Sequence, residues 1–305
     1  MFSISSYFSI EYLVILLPIS VALYAVLPQK LRRISLLLSS YAFFWAVSGK
    51  LIAYLLFSTL STHYTGLWLS SLQEDCDRLA AATPKENRKA VRVQYRQKQR
   101  LVVAFAAALH IGLVLVLKYG PVFAGNINTA LWALRIPFAL EIPSYILPIG
   151  ISFYTLQAMA YIFDVYRRKI PADRNLLRVA LFMSFFPQIM EGPICRYSET
   201  EAPKLQYRNL TFGLQRILFG FMKKIVVADR LNLMIKNVFS DYQNYDGFVL
   251  AVAAVGYTVQ LYMDFSGTMD LVIGSGQIFG MRLPENFQRP FFSKSISEFW
   301  KRWHI

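Results

Sequence analysis

Long apolar runs separated by short polar segments make up most of the chain. A helix needs about 20 apolar residues to cross a bilayer, although packed or re-entrant segments can be shorter. The pattern therefore predicts an all-α fold, a polytopic transmembrane helical bundle with short, broken and re-entrant or interfacial helices. The apolar runs that predict membrane segments are 8–27, 31–47, 51–69, 101–117, 145–163, 176–190, 212–227, 248–265 and 269–281.

The basic residues predict an orientation for these segments. Lys30, Arg32 and Arg33 follow the first run, and many Lys and Arg residues lie within 73–100. Short loops rich in Lys and Arg stay in the cytoplasm, so both segments should be cytoplasmic and the N-terminus outside. Segment 73–100 is polar and free of glycine, which predicts a basic helical excursion from a single membrane domain covering 1–305.

Composition agrees with a membrane protein and argues against a nucleic-acid partner. The chain is 55% hydrophobic, and its net charge of +14 comes largely from the loops between apolar runs. Cys76 and Cys195 have neither metal-site spacing nor the density of a disulfide scaffold. The first apolar run contains Glu11 and lacks the features of a cleaved signal peptide, so we expect it to remain as a membrane segment.

Four carboxylates lie within or beside the apolar runs: Asp164, Glu191, Asp264 and Asp270. A charge in a membrane helix costs roughly 2.5–3.5 kcal/mol, so such groups are usually paired or line a polar cavity. The helix breakers at 148–150, 187 and 192–193 leave the same two alternatives open, a polar tunnel or simple kinks.

The three histidines differ in context. His63 and His110 lie inside apolar runs, which indicates helix packing. His304 closes the segment 297–304, an amphipathic pattern that by itself indicates an interfacial anchor. The adjacent Lys301 and Arg302 suit an anionic ligand, or equally the orientation of the chain in the membrane.

Several blocks of the second half resemble the membrane-bound O-acyltransferase family, particularly its bacterial branch of alginate O-acetylases and teichoic-acid D-alanyl transferases. The resemblance is weak before about residue 145, and Glu191 stands where the family usually has a small residue. The blocks are PIGISFYTLQ at 148–157, YIFDVYR at 161–167, FFPQIMEGPICR at 185–196, KKIVVADR at 223–230, QLYMDFSG at 260–267, Asp270, GMRLPENF at 280–287 and SEFWKRWH at 297–304.

The resemblance implies transfer of an acyl group, of acetyl or D-alanyl type, from a cytoplasmic thioester to a hydroxyl of an extracytoplasmic polysaccharide or cell-envelope polymer. The donor would be an acyl-CoA or a charged acyl carrier protein, with no bound cofactor and no metal. In the family the invariant base histidine lies beyond the position of Ile305, so we expect a fragment or a C-terminally truncated product, with 282–305 as the start of the catalytic segment.

By the same resemblance, His304 would be a supporting catalytic residue. Asp264, Asp270 and Arg196 would support it, and Lys301 and Arg302 would bind the donor. The expected location is the bacterial plasma membrane, as a multi-pass protein. The expected partners are the bilayer, the acceptor polymer, an acyl carrier protein and an extracytoplasmic esterase-like protein.

Two other functions fit the same residues. A transporter or channel for a glycopolymer precursor would also need intramembrane carboxylates and broken helices, although no internal repeat of the kind common in transporters is visible. An inactive membrane scaffold that binds an acyl carrier protein would explain the basic C-terminal segment without catalysis.

Overall fold

The computed structural model describes residues 7–141, 147–200 and 206–305, and within these ranges the protein is helical. Apart from one isolated bridge between Phe287 and Trp303, these residues form no β-structure. The predicted all-α class is confirmed. The helices are α1 (Leu17–Val26), α2 (Gln29–Ser48), α3 (Ile52–Ala82), α4 (Arg88–Val114), α5 (Gly120–Ala133), α6 (Ile151–Tyr166), α7 (Leu176–Ser184), α8 (Tyr207–Phe221), α9 (Asp229–Ser240), α10 (Gly247–Ile278) and α11 (Ile296–Arg302).

Three helical stretches within the described residues are long and apolar enough to cross a membrane: Gln29–Ala82, Arg88–Ala133 and Gly247–Ile278. A shorter apolar stretch covers Glu11–Val26, where a π-helical turn leads into α1. Large apolar side chains lie exposed along these helices, as expected of surfaces that face lipid. The chain is therefore a membrane protein with several helices that can span the bilayer.

The chain forms two compact units, which we call unit one and unit two. Unit one comprises Met1–Ser39, Phe186–Cys195 and Glu199–Ile305, and unit two comprises Ser40–Phe185 and Arg196–Ser198. Their action as the one membrane domain suggested by the sequence stays a prediction.

In unit two, α3 and α4 form a long helical hairpin against which α6 packs. The turn at 83–87 contains Pro84, which cannot continue a helix. The predicted excursion 73–100 is thus helical, but it consists of the end of α3 and the start of α4. Gln73 joins the hairpin to α6 by donating from Nε2 to the carbonyl oxygen of Val165 at 3.0 Å. At Gly66 a Cβ atom would lie 2.8 Å from the Tyr161 ring, so α3 and α6 meet closely there.

In unit one, α8 packs antiparallel to α10 through two pairs of glycines. A Cβ atom on Gly220 would lie 2.6 Å from the carbonyl oxygen of Gly267, and one on Gly274 would lie 2.7 Å from that of Gly213. Small residues of this kind let two helix backbones approach and gain dispersion contacts, which drive helix association in lipid.

The predicted division between spans 248–265 and 269–281 is wrong, because α10 continues from Gly247 to Ile278. Gly267 does not break the helix; it faces α8 and permits the close contact described above. Asp270, which had suggested a polar interruption, is neutralised by two cations from the neighbouring helical segment. A charge that is paired in this way can stay inside an apolar helix.

The predicted breaks at proline and glycine mark real helix ends. Helix α6 begins after Gly150, which has a φ of +68°. Helix α7 ends at Ser184 and not at 190, so the predicted span 176–190 is too long. The Gln188 side chain donates to the carbonyl oxygen of Pro193 at 2.5 Å, and the Gly192 amide donates to the carbonyl oxygen of Gln188 at 2.9 Å. Protein groups therefore satisfy part of the backbone that this break leaves outside a helix.

Candidate active site

The C-terminal segment of unit one folds back on α10 through aromatic contacts. The ring of Phe287 lies 5.5 Å from that of Tyr262 and 5.2 Å from that of Phe265, both on α10. Trp303 stacks edge-on against Phe287 at 5.2 Å. Edge-to-face pairs at these separations add to the free energy gained by burying the rings. This cluster fixes the strand-like segments on either side of α11 against a long helix.

His304 follows α11, which ends at Arg302, so the predicted amphipathic helix stops short of the histidine. A short antiparallel pairing holds the segment: the Gln288 amide donates to the Arg302 carbonyl at 2.9 Å and the Ile305 amide to the Asn286 carbonyl at 3.0 Å. His304 has a φ of +51°, a left-handed conformation that is uncommon for a residue other than glycine. Such strained backbone often occurs at functional sites.

Asn286 orients the imidazole of His304. Its Oδ1 lies 3.2 Å from His304 Nδ1, and the asparagine side chain is buried while His304 is exposed. With the amide oxygen toward the ring, Nδ1 carries the proton and donates it, which leaves the lone pair on Nε2. The Phe265 ring lies 5.0 Å from the imidazole and limits its tilt.

A charge network lies next to this pair in the sequence. Asp270 accepts from Arg216 Nε at 3.1 Å and from Lys223 Nζ at 2.6 Å. Arg216 also donates to both oxygens of Glu285, from Nη1 at 2.6 Å and from Nη2 at 2.5 Å. Both oxygens of Asp270 are therefore occupied by cations. The network ties α8 and α10 to Glu285, the neighbour of Asn286.

Asp264, the other α10 carboxylate, shares a lysine with Asp229. Lys224 Nζ lies 2.7 Å from Asp264 and 3.1 Å from Asp229. Asp264 directly precedes Phe265, the residue that contacts His304. Of the carboxylates predicted to support the site, both Asp264 and Asp270 thus belong to unit one together with His304, and both are ion-paired.

Arg196 belongs to unit two, where it pairs with Asp164 at 3.4 Å. Lys169 lies 3.8 Å from the same Asp164 oxygen. Pairing of the intramembrane carboxylates, one of the two alternatives above, holds for Asp164, Asp264 and Asp270. Glu191 is exposed.

The two basic residues predicted to bind the donor differ in their surroundings. Arg302 Nη2 lies 2.6 Å from Glu298 Oε1, and the second oxygen of Glu298 accepts from the Lys294 amide at 2.7 Å. Ser295 caps α11 by accepting from the Glu298 amide at 3.1 Å. Lys301 is exposed on the same helix. Arg302 therefore stabilises α11, whereas Lys301 is open to a ligand.

Analysis of the sequence missed Asn286, Glu285 and Arg216. Asn286 and Glu285 lie inside the block 280–287 that carries the family resemblance, and two adjacent polar residues between Pro284 and Phe287 were the available signal. The pairing of 286–288 with 302–305 could not be read from the pattern. In the part of the chain that the structure describes, no three His, Cys, Asp or Glu residues are grouped to hold a metal ion.

Comparison with known proteins identifies the family. The model described as MBOAT, membrane-bound O-acyltransferase family, matches residues 49–305. The chain belongs to the membrane-bound O-acyltransferase family. The predicted resemblance is thereby confirmed, and His304 with its Asn286 partner falls inside the matched region of this acyltransferase chain.

Bacterial acyltransferases are similar to most of this chain. A probable alginate O-acetylase of Pseudomonas syringae pv. tomato is 35% identical over 302 residues, 96% of this chain and 53% of the relative. A peptidoglycan O-acetyltransferase of Helicobacter pylori is 32% identical, covering 68% and 44% of the two chains. A teichoic acid D-alanyltransferase of Bacillus subtilis is 34% identical, covering 52% and 42%. This member of the family spans about half the length of the relatives it matches.

Proposed function

We propose that this chain is the part of an O-acyltransferase that moves an acyl group from a cytoplasmic thioester to a hydroxyl of an extracytoplasmic polysaccharide or envelope polymer. The observation that carries the proposal is the His304–Asn286 pair, at 3.2 Å, within a region that matches the acyltransferase family. The similar proteins are named for O-acetylation of alginate or peptidoglycan and for D-alanylation of teichoic acid.

The chemistry asks little of the protein beyond orientation and proton transfer. A thioester is already activated, so the acceptor oxygen has to be aligned with the thioester carbonyl and relieved of its proton as the new ester bond forms. The departing thiolate takes up a proton. His304, with Nδ1 engaged by Asn286, presents Nε2 for a hydrogen bond to the thioester or to a proton in transit. Its role is supporting.

The supporting residues follow from their contacts. Asp270, held by Arg216 and Lys223, positions the segment that carries Asn286, and it is not free to act as a base. Asp264 acts on the opposite side of Phe265 through its pair with Lys224. Arg196 is proposed to support the site from unit two.

Lys301 is proposed to meet the donor. Its exposed ammonium group suits the phosphates of coenzyme A or the acidic face of an acyl carrier protein, because both donors are anionic. Arg302 contributes to the same positive surface while it is paired with Glu298. An extracytoplasmic esterase-like protein is the proposed partner on the acceptor side.

The test is acyl transfer in membranes that contain the longest reading frame with these residues. Radiolabelled acetyl-CoA and a charged acyl carrier protein are supplied separately, with alginate or teichoic acid as acceptor. We expect labelled polymer with one donor, and a loss of roughly a hundredfold for His304→Ala, the scale of a lost proton-transfer group. Lys294→Gln, an exposed change on the same segment, should leave the rate unchanged.

The two rival functions give different results in the same membranes. Movement of a glycopolymer precursor into sealed vesicles without acylation would indicate a transporter. Retention of the carrier protein without turnover, unaffected by His304→Ala, would indicate a scaffold. Either result would contradict the acyltransferase proposal.

A further inference from the structure

Unit two contains a cavity of about 800 Å³ formed by the end of α3, the start of α4 and the end of α6. Its walls include six basic side chains that face one concave surface. We call this surface the basic cleft, and its residues are Lys89, Arg92, Arg96, Arg100, Arg167 and Arg168.

The positive charge of the basic cleft is not balanced by the protein. Asp77 is the carboxylate among the lining residues, and Arg168 engages both of its oxygens, at 2.7 and 3.0 Å. The other five cations make no ion pair with any carboxylate in the ranges 7–141, 147–200 and 206–305. Like charges gathered around a cavity repel one another, so an anion bound there would stabilise the cleft.

Part of the cleft wall is held in place without a ligand. Arg168 has a left-handed φ of +58°, and its amide donates to the Val165 carbonyl at 2.9 Å. The same Val165 oxygen accepts from Gln73 on α3 at 3.0 Å. The Arg168–Asp77 pair then joins the end of α6 to α3. A preformed wall lowers the entropy cost of binding.

The surface beside the cleft is apolar. Arg92, Arg96 and Arg100 are four residues apart and lie on one face of α4. The next turns of the same helix expose Leu101 by 70% and Phe105 by 65%, at the start of a stretch long and apolar enough to span a membrane. A positive cavity that adjoins a lipid-facing helix matches an amphiphile with an anionic head and hydrocarbon tails.

We propose that the basic cleft binds the phosphate-bearing headgroup of an anionic phospholipid, with the acyl chains lying along Leu101 and Phe105. Arginine suits this role because its guanidinium donates in a planar fork that fits phosphate oxygens. The site is separate in its residues from the His304 site, and the proposal does not depend on acyl transfer. A soluble phosphate compound shares the headgroup chemistry but would gain nothing from the apolar stripe.

The experiment is native mass spectrometry of the full chain purified in detergent and titrated with phosphatidylglycerol, phosphatidylcholine or inorganic phosphate. The cleft variant carries Arg92→Gln, Arg96→Gln and Arg100→Gln. The control variant carries Arg78→Gln, Lys85→Gln and Lys98→Gln, which remove the same charge from the same hairpin outside the cleft lining. Unchanged elution as a single species confirms that both variants fold.

We expect phosphatidylglycerol to bind more tightly than phosphatidylcholine, and the cleft variant to lose roughly a hundredfold in affinity, the scale of three basic contacts to an anionic headgroup. The control variant should keep most of the affinity. Arg96→Glu, a single change with a reversed charge, should weaken binding in the same direction. A thermal shift on adding phosphatidylglycerol, present in the wild type and absent in the cleft variant, provides a second readout.

Three outcomes would overturn the proposal. Equal affinity for the anionic and zwitterionic lipids would show that the cleft does not recognise the headgroup charge. Equal loss in the cleft and control variants would show that only the net charge of the hairpin matters. Binding of inorganic phosphate as tight as that of phosphatidylglycerol would assign the cleft to a soluble phosphate compound.

Discussion

Asn286 determines which nitrogen of His304 faces outward, and this makes its side-chain oxygen more important than its size. In Asn286→Ala the hydrogen bond to Nδ1 is lost and the ring can rotate or change tautomer. We expect acyl transfer to fall roughly tenfold, which corresponds to one hydrogen bond of ordinary strength. The measurement is the initial rate with saturating donor.

Asn286→Asp separates positioning from mere packing. The carboxylate still accepts from Nδ1, so much of the rate should return. Its negative charge also stabilises the imidazolium, so the limb of the pH–rate profile that depends on His304 should move to higher pH. An unchanged profile, or equal rates in all three proteins, would argue against an orienting role for Asn286.

A second side-chain cluster, in unit two, controls acid stability. Burial raises the pKa of Asp173, but hydrogen bonds from Tyr197 at 2.6 Å and from the Asn175 amide at 2.7 Å, with Arg178 nearby, outweigh burial and lower its pKa overall. Burial and the bond to Asp173 raise the pKa of Tyr197, which therefore remains a donor at neutral pH. Ionised Asp173 thus stabilises the folded chain.

Because the folded pKa of Asp173 is lowered, its stabilisation is fully present above the unfolded value of about 3.9 and is lost as the pH falls through the folded value. We expect Tyr197→Phe to lower stability by about 1 kcal/mol at pH 7 through loss of the charged hydrogen bond. The same variant should lose less stability than the wild type between pH 6 and pH 3. Thermal unfolding in detergent at the two pH values measures both effects, and parallel curves would contradict the assignment.

Among the helices, contact between α8 and α10 depends on the absence of side chains at two places. Gly220→Ala would put a Cβ atom 2.6 Å from the Gly267 carbonyl, so the helices must separate. We expect a loss of about 1–3 kcal/mol, typical of overpacking, and a lower Tm in detergent. Gly256→Ala on α10 is the matched control, because its Cβ would meet only Ile235 at 3.8 Å. If both changes had the same effect, close packing would not explain the glycines.

The same helices show what the sequence could and could not predict. Apolar runs with proline and glycine breaks located most helices and the start of α6 after Gly150. They failed at α10, where Gly267 and Asp270 resemble a break until α8 is placed against them. The bond between Asn286 and His304 joins positions separated by a helix and two turns. Neither pairing has a local signal, because each depends on which segments meet in space.

For the whole molecule, the basic loops predict that the turn between α3 and α4 faces the cytoplasm. The native cysteines, Cys76 and Cys195, are both buried, so a new cysteine in the turn can be labelled over a low background. We expect Lys85→Cys to react with a membrane-impermeant maleimide in inverted vesicles and not in intact cells. Labelling from outside the cell would reverse the orientation. Lys50→Cys, one crossing earlier, should show the opposite pattern.

The peptide step from Glu285 to Asn286 has a consequence for how this protein tolerates change. One residue is gripped by Arg216 of α8 and the next holds the histidine. Any movement of α8 along its axis is therefore transmitted over a single Cα–Cα distance to the imidazole. Arg216 and His304 should behave as one genetic unit: a loss at Arg216 would mimic a misaligned histidine, and a suppressor would be found at Glu285 before it was found at His304 itself.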